Sequence, residues 1–277
     1  MEQRVTVAPE REDKRVQPLQ ARQEECHARA NLYRLLAGAF AEEPTHDYLQ
    51  ALRSPESLAA LTEAGLSFDT DFTDTPLTPL QDELACEYAT LLASPGGCPP
   101  VESARLTGRY QQEPYFAVQK TYRRAGFALQ KARFAVFEDS LGVELLFAAR
   151  LLDRAETALI HGDMAAYRRI DKEIRRFWAL HLGRWVRGYA NLVERAAQHS
   201  FYREMSKLLR GFAENELAAL KLHVEDVDGG KEIVPKSELA VLVNVDEPDE
   251  PVCNGCQFGN AIQRDPLSGI SQHPEGL

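Results

Sequence analysis

The sequence predicts an all-α protein: a single helical-bundle domain of roughly eight to ten helices over residues 21–223. A mobile N-terminal arm precedes it over 1–20, and a largely irregular acidic tail follows over 224–277. Three observations predict this. Apolar residues recur at helical spacing through most of the body. Helix-starting and helix-stopping residues stand at the ends of those runs. Alternating β-branched runs are scarce before residue 230, and no internal repeat occurs.

The elements follow in order. From Gln23 to Ala41, Leu32, Leu35, Leu36, Ala39 and Phe40 mark one helix. Residues 46–53 form a short one. Ser54 and Pro55 open the next as N-cap and first helical residue, Leu58, Leu61 and Ala64 give it an apolar face, and Gly65 closes it. Residues 66–77 read as a polar connector. Thr78-Pro79-Leu80-Gln81 reads as a capping box that starts a helix through Leu84, Tyr88, Leu91 and Leu92. Two glycines and three prolines within 93–103 enforce a turn-rich loop. Helical spacing resumes from Pro114 to Ala125 and stops at Gly126. A long helix runs from about Asp139 to Ile160, and Asp163 caps the following one. Trp178, His181 and Trp185 share one face of a continuous helix, which reads as core packing. The last helix spans Phe201 to Leu222. Beyond it, 238–245 (ELAVLVNV) is strand-like but has no partner strand.

The formal net charge is −10, and it is unevenly placed. Residues 224–277 hold eleven acids and three bases, so the body is close to neutral. A chain of this charge is a poor ligand for nucleic acid. No apolar stretch is long enough to span a bilayer, and the first 25 residues lack the apolar core of a secretory signal. Five scattered cysteines fit a reducing compartment. The expectation is a soluble, cytoplasmic protein. Phosphate-loop, dinucleotide, zinc-protease and serine-elbow motifs are all absent, so a binding protein is expected rather than an enzyme.

A family resemblance emerges between residues 87 and 147. Glu87-Tyr88-x-x-Leu91-Leu92 running into Pro99-Pro100-Val101-Glu102-Ser103 resembles the TorD/DmsD family of molybdoenzyme assembly chaperones. The matching family pieces are a helix ending E-Y-x-x-L-F and a loop of type P-P-Y-E-S. Tyr122 and Gly126 resemble its Y-x-x-x-G helix end. Phe137-Glu138-Asp139-Ser140 with Glu144-Leu145 resembles its E-D-H-x-x-x-E-L segment. Phe177, His181, Leu182, Trp185 and Phe201-Tyr202 fit its later positions, so the resemblance covers about 25–222. Val101 and Ser140 depart from the family's Tyr and His, and the tail has no counterpart. The resemblance implies a chaperone for the catalytic subunit of a DMSO-reductase-type molybdoenzyme. It would bind the apo subunit, or its twin-arginine signal peptide, and delay export until the client has received molybdopterin guanine dinucleotide. No stably bound cofactor is implied for the chaperone itself, and a homodimer stays open.

A twin-arginine leader asks for an apolar groove with a few carboxylates at one end. Burying roughly 400 Å² of apolar peptide contributes about 10 kcal/mol gross. An exposed carboxylate–arginine pair contributes about 0–1 kcal/mol. The groove therefore supplies affinity and the acids supply orientation. The expected groove lies between the 93–103 loop and the start of the 139–160 helix. Glu102, Asp139 and Glu144 are its candidate acids, and Tyr88, Leu91, Val101, Leu141 and Phe147 its candidate walls. Structural readings compete with each acid: an N-cap for Asp139, loop structuring for Glu102, a buried partner for Glu144. Cys253-Asn254-Gly255-Cys256, with His273 as a third ligand or a second copy supplying more thiolates, raises a rival reading as a metal, cluster or redox protein. A helical scaffold that binds a basic partner through its acidic tail is a third.

Overall fold

The computed structural model describes residues 13–94, 96–128 and 137–232. Most of the arm and tail, with the strand-like run 238–245 and the Cys253–Cys256 motif, lies outside them. Eleven α-helices and no strand occur among the described residues. They are α1 (Asp13–Phe40), α2 (His46–Leu52), α3 (Pro55–Glu63), α4 (Thr70–Thr73), α5 (Leu77–Glu87), α6 (Glu102–Thr107), α7 (Glu113–Arg124), α8 (Leu141–Ile160), α9 (Met164–Leu180), α10 (Val186–Ala196) and α11 (Ser200–Ala219). A π-helical segment, Tyr88–Ala93, continues α5, and a 3₁₀ turn, Leu182–Arg184, joins α9 to α10.

Local chemistry explains several boundaries. Ser54 accepts the N–H of Ser57 at 3.2 Å, and Asp163 accepts that of Ala166 at 2.9 Å, so both act as the expected caps. The Thr78–Gln81 box is not used: α5 begins at Leu77 behind Pro76, with no side-chain cap. The connector 66–77 contains α4, because Phe72 is fully buried against Phe68 and Phe201 and draws one helical turn into the core. Helix α6 also escaped the periodicity, being only six residues long.

Helix α1 packs along α8, α8 along α9, and α10 along α11. One buried network ties three of these together. Glu216 on α11 accepts both Nε and Nη2 of Arg29 on α1, at 2.8 and 2.7 Å, and the hydroxyl of Tyr33 at 2.8 Å. Trp178 on α9 donates Nε1–H to the same hydroxyl at 2.6 Å. Phe212 packs edge-on against Tyr33 at 4.7 Å. Replacing Glu216 with Ala strands the Tyr33 hydroxyl and the Arg29 charge together. A loss of about 2–4 kcal/mol in chemical denaturation is expected.

The body does not end with α11. Residues 224–232, assigned from sequence to the tail, fold back as a strap across the body. Val227 N–H donates to Arg184 O at 2.7 Å, and Arg187 donates to Val224 O at 2.6 Å. Asp228 receives Arg105 Nε at 2.6 Å and Nη2 at 3.0 Å, with both side chains out of solvent. Gly188 makes the close approach possible, since a Cβ there would fall 2.5 Å from Gly230 N. The apparent tail boundary at 223 therefore moves to Glu232, the last described residue. The run of acids near it misled because Asp228 is buried and paired, not solvated.

Candidate functional site

The segments that carried the resemblance lie far apart in sequence and meet at one junction. Val101 and Ser140 form an isolated antiparallel bridge. Glu102 N–H donates to Asp139 O, and Leu141 N–H to Pro100 O, both at 2.8 Å. Tyr189 on α10 donates its hydroxyl to Cys98 O at 3.1 Å. The 96–101 turn, the entry to α8 and the start of α10 are thereby clasped into one piece.

All three predicted acids are found here, and all three are 0% exposed. Asp139 does not cap α8. That position belongs to Ser140, which makes no capping bond. The Asp139 carboxylate instead accepts Ser103 N–H at 2.8 Å, so it caps α6 from across the junction. Glu102 Oε2 stands 3.0 Å from His181 Nδ1, and His181 Nε2 stands 3.4 Å from the Thr121 hydroxyl. His181 is thus a hydrogen-bonding partner of Glu102 rather than plain packing. The face it was expected to share is broken, because α9 ends at Leu180 before the 3₁₀ turn. Neither carboxyl oxygen of Glu144 has a hydrogen-bond partner among the described residues. Burial, then the charge of Glu102, then that of Asp139, push the Glu144 carboxyl well above the ordinary carboxylate range. Burial likewise raises Asp139, against the opposing pull of the Ser103 bond.

The expected open groove is filled by the protein's own side chains. Leu141 is fully buried and Val101 nearly so. Phe147 sits 4.5 Å from the Tyr122 ring and 4.8 Å from that of Phe177. Leu91 retains a small exposed edge, and Tyr88 is half-buried with its hydroxyl on Ala41 O. The physical reason is that α8 is apolar on nearly every side of its first two turns. It sinks into the core and takes Glu144 with it. Sequence spacing signalled the acids but not their depth.

A model of the family described as the nitrate reductase delta subunit matches residues 55–191. The chain belongs to that family. It is the NarJ/TorD-type chaperone family, whose members serve molybdoenzyme maturation and bind a molybdoenzyme catalytic subunit. The match spans the whole junction, from α3 into α10, and stops before α11 and the strap. No curated protein matches the chain. For a delta-subunit-family chaperone the site to look for is a surface that receives protein. Among the described residues no group of three or more His, Cys, Asp or Glu side chains is arranged to hold a metal. No described helix is long and apolar enough to cross a membrane.

The buried acids give a pH prediction. A carboxyl whose pKa is raised on folding keeps its proton after the unfolded chain has released it. Stability from this source is complete below the ordinary carboxylate value. It is lost as pH rises toward the folded value. Glu144→Gln removes the effect. The difference in unfolding free energy, mutant minus wild type, should grow in the mutant's favour between about pH 4 and about pH 7. Urea melts across that range measure it, and a flat difference would mean that Glu144 is ionised in the fold.

Proposed function

We propose that this chain is an assembly chaperone that holds the apo catalytic subunit of a DMSO-reductase-type molybdoenzyme. It engages the client's twin-arginine leader and withholds the subunit from export until molybdopterin guanine dinucleotide is in place. The cofactor in this reading belongs to the client, and the chain performs no catalysis of its own. One observation carries the reading furthest. The segments resembling the assembly chaperones converge on one clasped junction, Val101 against Ser140 with Glu102 paired to His181. In this role Glu102, Asp139 and Glu144 brace the receiving surface from beneath, and Tyr88 and Leu91 belong to its edge.

Isolation of the full-length chain from cells that express its molybdoenzyme tests this. The apo catalytic subunit should co-purify, and the cofactor-loaded enzyme should not. Equal recovery of both forms would count against a maturation role. Calorimetric titration of the isolated leader asks separately whether the signal peptide is the part that is held.

A further inference from the structure

We infer that the cationic cavity between α7, α8 and α9, together with the solvent face of α9, docks the protein reversibly on an anionic lipid surface and seats a phosphate headgroup there. This goes beyond the chaperone reading and does not depend on it. The cavity holds about 410 Å³, the size of a site for a headgroup and its glycerol rather than for a folded partner.

Its lining is cationic. Arg124 from α7, Arg154 from α8, and Arg169 and Lys172 from α9 line one space, against a single acid, Glu173. Glu173 is already taken, because Arg124 donates Nη2–H to it at 2.7 Å. Arg154 is held in place as well. It donates to Ala125 O at 2.7 Å and lies 3.8 Å over the Phe127 ring. Arg169 and Lys172 are exposed and form no ion pair or side-chain hydrogen bond among the described residues. The cationic row continues outside the cavity. Arg169, Lys172, Arg176 and Leu180 follow at steps of three, four and four, so they share one face of α9, and all four are exposed. The acids of α9 are drawn aside, Asp171 onto Arg175 and Glu173 onto Arg124.

The inventory of donors and acceptors selects the partner. Apart from Glu173, the charged groups of the lining only donate, and Leu151 and Ile170 give an aliphatic floor. A phosphodiester headgroup brings acceptors and carries hydrocarbon behind them. An acidic peptide also brings carboxylates, but its backbone N–H groups would meet donors and alkyl carbon instead of acceptors. A nucleic acid also brings phosphates, but no aromatic ring stands among the described residues of the lining to stack a base. Leu180, exposed at the end of the cationic row, is an apolar tip of the sort that interfacial helices lower into the headgroup layer. The body as a whole is close to neutral, so the attraction is local and short in range. Each base beside an anionic bilayer strengthens binding roughly fivefold, which makes this a reversible attachment rather than an anchor.

Flotation of the full-length protein with lipid vesicles tests this. Vesicles of phosphatidylcholine with about one third phosphatidylglycerol should bind it roughly tenfold or more tightly than pure phosphatidylcholine at about 0.1 M salt, and about 0.5 M salt should remove the difference. Arg169→Glu with Lys172→Glu, both at exposed positions, should weaken binding roughly tenfold or more while the circular-dichroism melt stays the same. Arg109→Glu with Lys221→Glu makes the same change in net charge elsewhere and should leave affinity within about twofold. Glycerol 3-phosphate at about 10 mM offers the headgroup without the membrane and should release less than about a tenth of the bound protein. Equal binding to neutral vesicles or equal weakening by the control pair overturns the proposal. Full release by glycerol 3-phosphate overturns it too, by making the cavity a site for a soluble phosphate ester. Recovery of the apo catalytic subunit tests the chaperone reading separately.

Discussion

Asp228→Ala should unfold this protein more readily than any change on its surface. The carboxylate is buried and fork-bonded to Arg105, whose Nη2 also reaches Lys231 O at 2.6 Å. Removal leaves a guanidinium out of water with no counter-charge, at a cost of about 3–5 kcal/mol. For a chain of this size that is a fall in melting temperature of roughly 10 °C. Thermal melts by circular dichroism measure it, and a change below about 1 kcal/mol would show that the strap is not anchored there. The same pair decides where the tail can be cut. A chain ending at residue 223 loses Asp228 and should melt early. A chain ending at 232 keeps the strap and should melt like the full protein. Client binding by the chain ending at 232 then separates a chaperone body from a scaffold that works through its acidic tail. Retention supports the first, and loss supports the second.

Glu144→Lys is expected to have the second-largest effect. The side chain it replaces is fully buried beneath the junction. Lysine adds length to a packed site and carries a charge that is expensive to desolvate. Attraction to Glu102 and Asp139 offsets part of this. A net loss of about 2–4 kcal/mol remains expected, with weakened client binding only in proportion to the unfolded fraction. Glu144→Gln should fold normally and bind as the parent does. A folded Glu144→Lys protein that binds the leader poorly would instead return Glu144 to the surface of a groove.

Much of the scaffold was legible in advance because its signals are local. Ser54 and Asp163 cap the helices they were expected to cap, Gly126 follows the end of α7, and α8 ends at Ile160. Helix α4 was hidden because four residues are too few for a period to register. Only the burial of Phe72 makes that turn worthwhile. The candidate site was legible as a set of residues but not as a surface. Glu102, Asp139 and Glu144 do meet. The sequence could not show that Asp139 would cap α6 or that His181 would answer Glu102.

Amino-acid order alone determined the helical class, most helix ends, the acidic bias of the C-terminal part and the kinship with the assembly chaperones. These rest on contacts three or four residues apart, or on short motifs. Tertiary structure alone decided which acids are buried and which stay exposed. The deciding contacts join residues 36, 79 and 123 positions apart: Ser103 with Asp139, His181 with Glu102, Arg105 with Asp228. A carboxylate's desolvation and pairing depend on what the fold brings beside it, and helical periodicity carries no record of that neighbour.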